Sequence, residues 1–219
     1  MNRRDFIQGV IAASAVTAVA SCSLGGESKE QVETSRKQEK KMNVLIFTGS
    51  PRKNGNSSIL ASEFQRGAEE AGHKVTVFEG AFKKVHPCIA CGHCMSSGDC
   101  VFDDDYKAIA KDLIAADVIV FASPVYYFAM TAQIKACIDR FYAYNTPIDG
   151  KKKAYLLLTF ADTNDQVAMP SVANYKAILN YRHWTDAGQI LAHGVWGAGD
   201  VKNTKFPQMA YEMGKSIAG

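Results

Sequence analysis

The sequence predicts an α/β fold, a doubly wound parallel sheet of five strands in the order 2-1-3-4-5 with helices on both faces. Three observations predict it. Short apolar runs such as Val44-Leu45-Ile46-Phe47 are contiguous rather than alternating, as strands buried on both faces require. These runs alternate with stretches whose apolar residues recur at helical spacing, the signature of strand–helix–strand units. Distinctive loops follow the first and third runs, where this strand order reverses its winding and opens a ligand crevice at the strands' carboxyl ends.

The elements follow in order. Strand one is residues 43–48. Residues 57–71 have helical spacing through Leu60, Phe64, Gly67 and Ala71, and Gly72 stops the helix. Residues 74–79 make strand two. Residues 103–116 are a helix with Tyr106, Ile109, Ala110 and Leu113 on one face and leading aspartates to cap it. Residues 118–122 are strand three. Residues 130–142 are helical, with Ile134, Cys137, Ile138 and Phe141 on one stripe. Strand four is 154–160, a helix spans 171–183, and strand five is 189–195. Residues 207–217 close the fold as a helix with proline near its start and Met209, Met213 and Ile217 on one face.

At 219 residues, 47% hydrophobic, the chain can build one full core. Its formal net charge is +3, but residues 1–41 hold seven basic and five acidic residues, which leaves 18 basic and 17 acidic in the remainder. That balance, with no aromatics interleaved among basic residues, argues against a nucleic-acid partner.

Residues 1–21 read as an export signal: Arg3 and Arg4 at the charged end, then an apolar run from Ile7 to Ala20 too short for a comfortable membrane span. Asn2-Arg3-Arg4-Asp5-Phe6-Ile7 resembles a bacterial twin-arginine signal, and Val19-Ala20-Ser21-Cys22 resembles a lipoprotein cleavage box. The resemblance implies cleavage before Cys22 and a lipid on its sulfur. The plainer alternative is a signal peptide with an incidental cysteine. Residues 22–41 read as a flexible tether, too poor in large apolar residues to offset the entropy of ordering. Membrane association is then expected only through the lipid, in the periplasm or at the membrane surface. Twin-arginine export implies a folded cargo, often already carrying its cofactor.

The loop after strand one, Gly49-Ser50-Pro51-Arg52-Lys53-Asn54-Gly55-Asn56-Ser57-Ser58, opens a helix whose unpaired N–H groups and dipole favour an anion. Ser50, Ser57 and Ser58 add hydroxyls, Asn56 an amide and Arg52 a charge. The loop is neither a P-loop nor G-x-G-x-x-G, so it does not read as an ATP or dinucleotide site. A surface turn with a helix cap is the bland alternative. The loop after strand three, Ser123-Pro124-Val125-Tyr126-Tyr127-Phe128-Ala129-Met130, brings aromatics that can pack on a planar ring, or simply on the core.

Together with Gln133-Ile134-Lys135-Ala136-Cys137-Ile138-Asp139-Arg140, these two loops resemble the NADPH-dependent FMN reductase and iron–sulfur flavoprotein family, whose fold is flavodoxin-like. The match runs from Met42 to the C-terminus in order and spacing. It implies FMN as cofactor, with the phosphate at Ser50, Arg52, Asn56, Ser57 and Ser58, and the isoalloxazine ring beside Pro124, Val125, Tyr126 and Tyr127, with Asp162 near it. It also implies a homodimer or higher homo-oligomer with sites near the subunit interface.

Cys88, Cys91, Cys94 and Cys100 lie within thirteen residues in the spacing C-x2-C-x2-C-x5-C. Four thiolates on so short a loop (88–100), with Gly92 and Gly98 to turn it, suit a [4Fe–4S] cluster or a zinc ion. Zinc more often takes two separated C-x2-C knuckles, so this spacing leans toward iron–sulfur, and it resembles that of iron–sulfur flavoproteins. Export leaves disulfides as a third outcome. Cys137, on an apolar stripe, reads as core, and His93 as a solvated loop residue.

No nucleophile–base or paired-carboxylate motif stands out, as expected where a cofactor carries the chemistry. The expectation is an exported, FMN-dependent oxidoreductase that couples FMN to a [4Fe–4S] cluster, with a protein or quinol redox partner. An FMN-only NAD(P)H-dependent reductase of quinones or flavin is the alternative enzyme. A non-enzymatic electron carrier, or a disulfide-stapled binding module without flavin, is the alternative from another class.

Overall fold

In the computed structural model, which describes residues 40–218, the apolar runs assemble into one parallel sheet. The strands are β1 (Asn43–Thr48), β2 (Lys74–Glu79), β3 (Val118–Tyr126), β4 (Ala129–Met130), β5 (Lys153–Thr159) and β6 (Thr185–Ala192). The parallel order is β2-β1-β3-β5-β6, the doubly wound five-strand order expected. The two-residue β4 folds back antiparallel on the end of β3.

Side chains alternate across the sheet with the two-residue period of a strand. From β1, Val44 and Ile46 pack with Leu60 and Phe64 of α1 (Asn56–Glu70). Leu45 and Phe47 enter the opposite core with Ile109 and Leu113, and with Ile134 and Ile138. The short α2 (His93–Ser97) lies in the cysteine loop. α3 (Asp105–Ala115), α4 (Ala132–Asp139) and α5 (Met169–Arg182) build the second face, and α6 (Phe206–Lys215) joins α1 on the first. Contiguous apolar strands are thus explained by two cores, one on each side.

Three boundaries depart from expectation. The helix expected from Met130 starts at Ala132, because Met130 pairs with Val125 in the β3–β4 hairpin. It ends at Asp139, and Arg140–Tyr144 continues as a 3-10 turn. Strand five covers Thr185–Ala192 rather than 189–195. Gly188 lies at a register irregularity against Ala154 and Tyr155, and Gly194, at φ +71°, turns the chain out. In α6 Phe206, Ala210 and Gly214 are buried; of the expected stripe Ile217 is buried and Met213 packs against the core, while Met209 is exposed.

That last shift has a steric cause. A Cβ on Gly214 would collide with the Phe64 carbonyl of α1, and one on Gly67 of α1 with the Tyr211 carbonyl of α6. The two helices therefore touch backbone to backbone through their glycines. Gly214→Ala is expected to destabilise the domain by about 1–3 kcal/mol through overpacking, read from the midpoint of chemical denaturation.

Residues 1–39, which include the expected export signal, Cys22 and most of the expected tether, lie outside the described residues. Among the described residues no helix is long and apolar enough to cross a membrane.

Candidate functional site

The carboxyl ends of β1, β3 and β5 open into a cavity of about 470 Å³. This is the switch point of the sheet, and the volume is that of a small-molecule site. Ser50, Arg52, Gly55, Asn56 and Ser57 line one side, Pro124, Val125, Tyr126 and Tyr127 another. The structure brings eight of the ten residues expected at the flavin together.

The first loop is folded on itself before any ligand arrives. The Ser50 hydroxyl accepts from the Arg52 amide and donates to the Arg52 carbonyl, each at 3.2 Å, and the Gly55 amide donates to that carbonyl at 3.0 Å. A Cβ on Gly55 would strike Ser50 Oγ, so the turn is as tight as glycine permits. α1 then begins at Asn56 with no side-chain cap. The Ser57 hydroxyl is buried in its first turn and has no hydrogen-bond partner. Buried hydroxyls are almost always paired, and this one stands where helix amides favour an anion. A flavin phosphate fits that vacancy in hydrogen bonding.

Asn56 does something else. Its Nδ2 donates to the Gly197 carbonyl at 2.8 Å, and its Oδ1 accepts from the amides of Gly199 and Val201 at 3.0 and 3.2 Å. The side chain expected to bind the ligand lines the cavity and also clamps the loop after β6, which brings Val195 and Trp196 there. Ser58 faces a separate cavity with Lys53, Asn54 and Ser62. Asp162 lies outside the lining: its carboxylate accepts from the Asn164 amide at 2.8 Å, and its carbonyl from Gly194.

The second loop is locked to the first. Thr131 Oγ1 donates to the Gly49 carbonyl at 2.8 Å, and its amide donates to Ser123 Oγ at 3.0 Å. The hairpin turn beyond is strained: Tyr127 and Phe128 are its two central residues, at φ +48° and +64°. Glycine and asparagine favour this turn, whereas each ordinary residue costs about 1–2 kcal/mol there. Tyr127 is 98% exposed. Tyr127→Asn with Phe128→Gly is expected to raise the thermal midpoint of the protein while weakening whatever the aromatic tip contacts.

The four clustered cysteines line a second cavity, of about 410 Å³, between the loop and the 3-10 turn after α4. Gly92 and Gly98 bracket α2 at φ +72° and +71°, with open space around each, so their role there is the turn itself. All four thiols are free, yet among the described residues no three metal-ligating side chains converge as a single metal ion requires. A tetrahedral zinc with Zn–S near 2.3 Å would draw its sulfurs to within about 4 Å of one another. A [4Fe–4S] cluster likewise takes four thiolates, and all four cysteines share this one lining.

The loop is pinned from outside. Tyr144 donates to Asp99 Oδ1 at 2.7 Å, and the Cys100 amide donates to the same oxygen at 2.8 Å. That Tyr144 bond leads the effects holding the Asp99 carboxyl below the usual range. Asp104 caps α3 by accepting from the Tyr106 amide, accepts from the His86 amide at 2.9 Å, and takes both Nη atoms of Arg140 at 2.8 and 3.2 Å. Burial opposes the Asp104 charge, but these bonds outweigh it and keep its carboxyl below the usual range. Cys137 sits in the core, its thiol pushed up to about 12 chiefly by burial.

Sheet order and crevice define a flavodoxin-like fold with a cavity at its switch point. The chain belongs to the NADPH-dependent FMN reductase family, whose description matches residues 42–173. It is 36% identical over 112 residues to an iron–sulfur flavoprotein of Archaeoglobus fulgidus, covering 50% of this chain and 51% of that one. It is 37% identical over 99 residues to an iron–sulfur flavoprotein of Methanocaldococcus jannaschii, covering 45% and 51%. The chain thus spans about half the length of these curated relatives. In fold it is similar to the NAD(P)H:quinone oxidoreductase of Methanothermobacter marburgensis, with a TM-score of 0.64, 18% identity, and 80% of this chain and 96% of that one covered.

The sequence reading missed several site residues. Thr159, Phe160 and Ala161 line the crevice at the end of β5, and the switch-point rule could have named them from position alone. Trp196, 81% exposed, comes from a glycine-rich loop with no periodicity to flag it. The Arg140–Asp104 pair joins residues 36 apart, and no local pattern announces it.

Proposed function

We propose that this chain is an FMN-dependent oxidoreductase in which the crevice holds FMN and Cys88, Cys91, Cys94 and Cys100 hold a [4Fe–4S] cluster. The observation that carries the reading is the cysteine cavity: four free thiols on one lining, in a chain similar to proteins named iron–sulfur flavoproteins. When bound, the flavin supplies two-electron and one-electron transfer and the cluster one-electron transfer.

The chain's own groups bind and orient. Ser57 Oγ and the first-turn amides of α1 serve the phosphate, with the Arg52 guanidinium nearby, its Nη1 donating to the Trp196 carbonyl at 3.5 Å. Pro124, Val125, Tyr126 and Trp196 line the crevice and would hold the ring there. The expected partner is a protein or quinol electron donor, and the expected assembly a homodimer or larger homo-oligomer. The twin-arginine-like segment and Cys22 support export and lipid attachment, tested by Arg3→Lys with Arg4→Lys, which should retain the protein in the cytoplasm.

Anaerobic purification with assay of FMN, iron, acid-labile sulfide and zinc tests the reading. About one FMN with four irons and four sulfides per chain is expected; flavin with no iron or sulfide would overturn the cluster. The FMN-only reductase of quinones or flavin is the second reading, favoured by the family's own description. Fast steady-state oxidation of NADPH by protein lacking iron would select it.

A further inference from the structure

Arg140 is the largest of the fully buried side chains, 1% exposed, and it lines the same cavity as the four cysteines. Its two Nη atoms are committed to Asp104, and Nη1 also donates to the His86 carbonyl at 2.9 Å. Its Nε is buried and has no hydrogen-bond partner. Leaving a charged donor unpaired in the interior is costly, and such atoms are rare. The guanidinium also lies over the rings of Phe102 and Tyr106, at 5.4 and 4.9 Å from their centroids, which holds its plane.

Position gives the pair a direction. Arg140 lines the cysteine cavity and Asp104 does not; Asp104 lines a neighbouring one with Lys84, His86 and Phe102. The ion pair is neutral as a whole, but its cationic member is the one that lines the thiols' cavity. Burial works against the Arg140 charge, yet the Asp104 hydrogen bonds outweigh it and hold the guanidinium protonated, with the nearby Cys100 adding in the same sense.

We infer that Arg140 is the positioning and tuning residue of the cysteine-held cluster: it sets a fixed positive charge and an uncommitted N–H donor against the cluster's sulfur atoms, and so favours the form carrying one more electron. The inference rests on the cluster reading above. Hydrogen bonds to cluster sulfurs and net local charge are the protein's means of setting such a potential. Asp104 limits the effect by holding the counter-charge behind the arginine.

The test is a redox titration, followed by optical and spin-resonance spectra, of anaerobically purified wild type, Arg140→Gln, Arg140→Lys and Asp104→Asn, each assayed for iron and sulfide. Arg140→Gln is expected to disfavour cluster reduction about tenfold, a fall of about 59 mV for one electron. Asp104→Asn, which bares the charge, is expected to move the potential the other way. A purely structural role predicts no such opposition of sign. Lysine, with the charge but no Nε, is expected to recover part of the fall; full recovery would remove the donor from the inference. Loaded Arg140→Gln and Asp104→Asn proteins with wild-type potentials would overturn it. Where Arg140→Gln loads no iron, Asp104→Asn decides: a raised potential supports the inference, an unchanged or lowered one overturns it. If Asp104→Asn loads none either, Arg140→Lys decides: a lowered potential supports the inference, an unchanged one removes the donor from it, and a raised one overturns it. Wild type without iron would instead overturn the cluster reading, a separate result.

Discussion

Asp104→Ala is expected to destabilise the domain by about 3–5 kcal/mol, the cost of stranding a buried charge. Arg140 is almost wholly buried and Asp104 itself only 13% exposed, so removing the carboxylate leaves the guanidinium with the His86 carbonyl as its remaining acceptor. The same side chain caps α3 through the Tyr106 amide and receives the His86 amide, so the helix start and the approach to the cysteine loop loosen together. Losing the cap alone is worth about 1 kcal/mol. Denaturant titration of the apo protein checks this, and Asp104→Asn, which keeps an acceptor and a similar shape, should lose clearly less.

Acid should find the same weak point. The Asp104 and Asp99 carboxyls both lie below their ordinary range in the folded protein. The folded state therefore binds fewer protons than the unfolded one between the two values. Their contribution is fully present above the ordinary aspartate range and is lost as pH falls through the depressed folded values. Stability measured by denaturant at a series of pH values should decline on that acid limb, and Asp104→Asn should flatten the decline.

Local pattern carried most of the architecture. Tyr106, Ile109, Ala110 and Leu113 are all buried as their helical spacing predicts, and the contiguous runs became the central strands. Several departures come from contacts between residues distant in sequence. The α6 face was read without Ala210 and Gly214 because Gly214 fits the α1 backbone, which no periodicity reports. The clamp made by Asn56 was not legible because its partners, Gly197, Gly199 and Val201, lie 141 to 145 residues away. Ser58 has the same chemistry as Ser57, but the helix turns it about 100° away, into another cavity. The two loops were legible because each is a short segment at the end of a strand whose position the fold dictates. Arg140 was visible only as a letter in a motif.

Ser57→Ala should separate binding from folding more sharply than any other change in the crevice. The Ser57 hydroxyl is buried and makes no hydrogen bond within the chain, so the fold gains nothing from it. An unpaired buried hydroxyl is a cost, and its removal is expected to leave apo stability unchanged or slightly raised. Its worth appears only with an anionic acceptor, where a charge-assisted bond contributes about 1.5–3 kcal/mol. The expected result is an FMN dissociation constant raised roughly ten- to a hundredfold, with the denaturation midpoint of the apo protein unchanged. Ser58→Ala, one residue on, should change neither quantity. Fluorescence titration of apo protein with FMN, beside denaturation curves of the three proteins, gives both numbers. Equal affinity in wild type and Ser57→Ala would mean that the phosphate is held elsewhere, and the loop after β1 would then lose its role as the anion site.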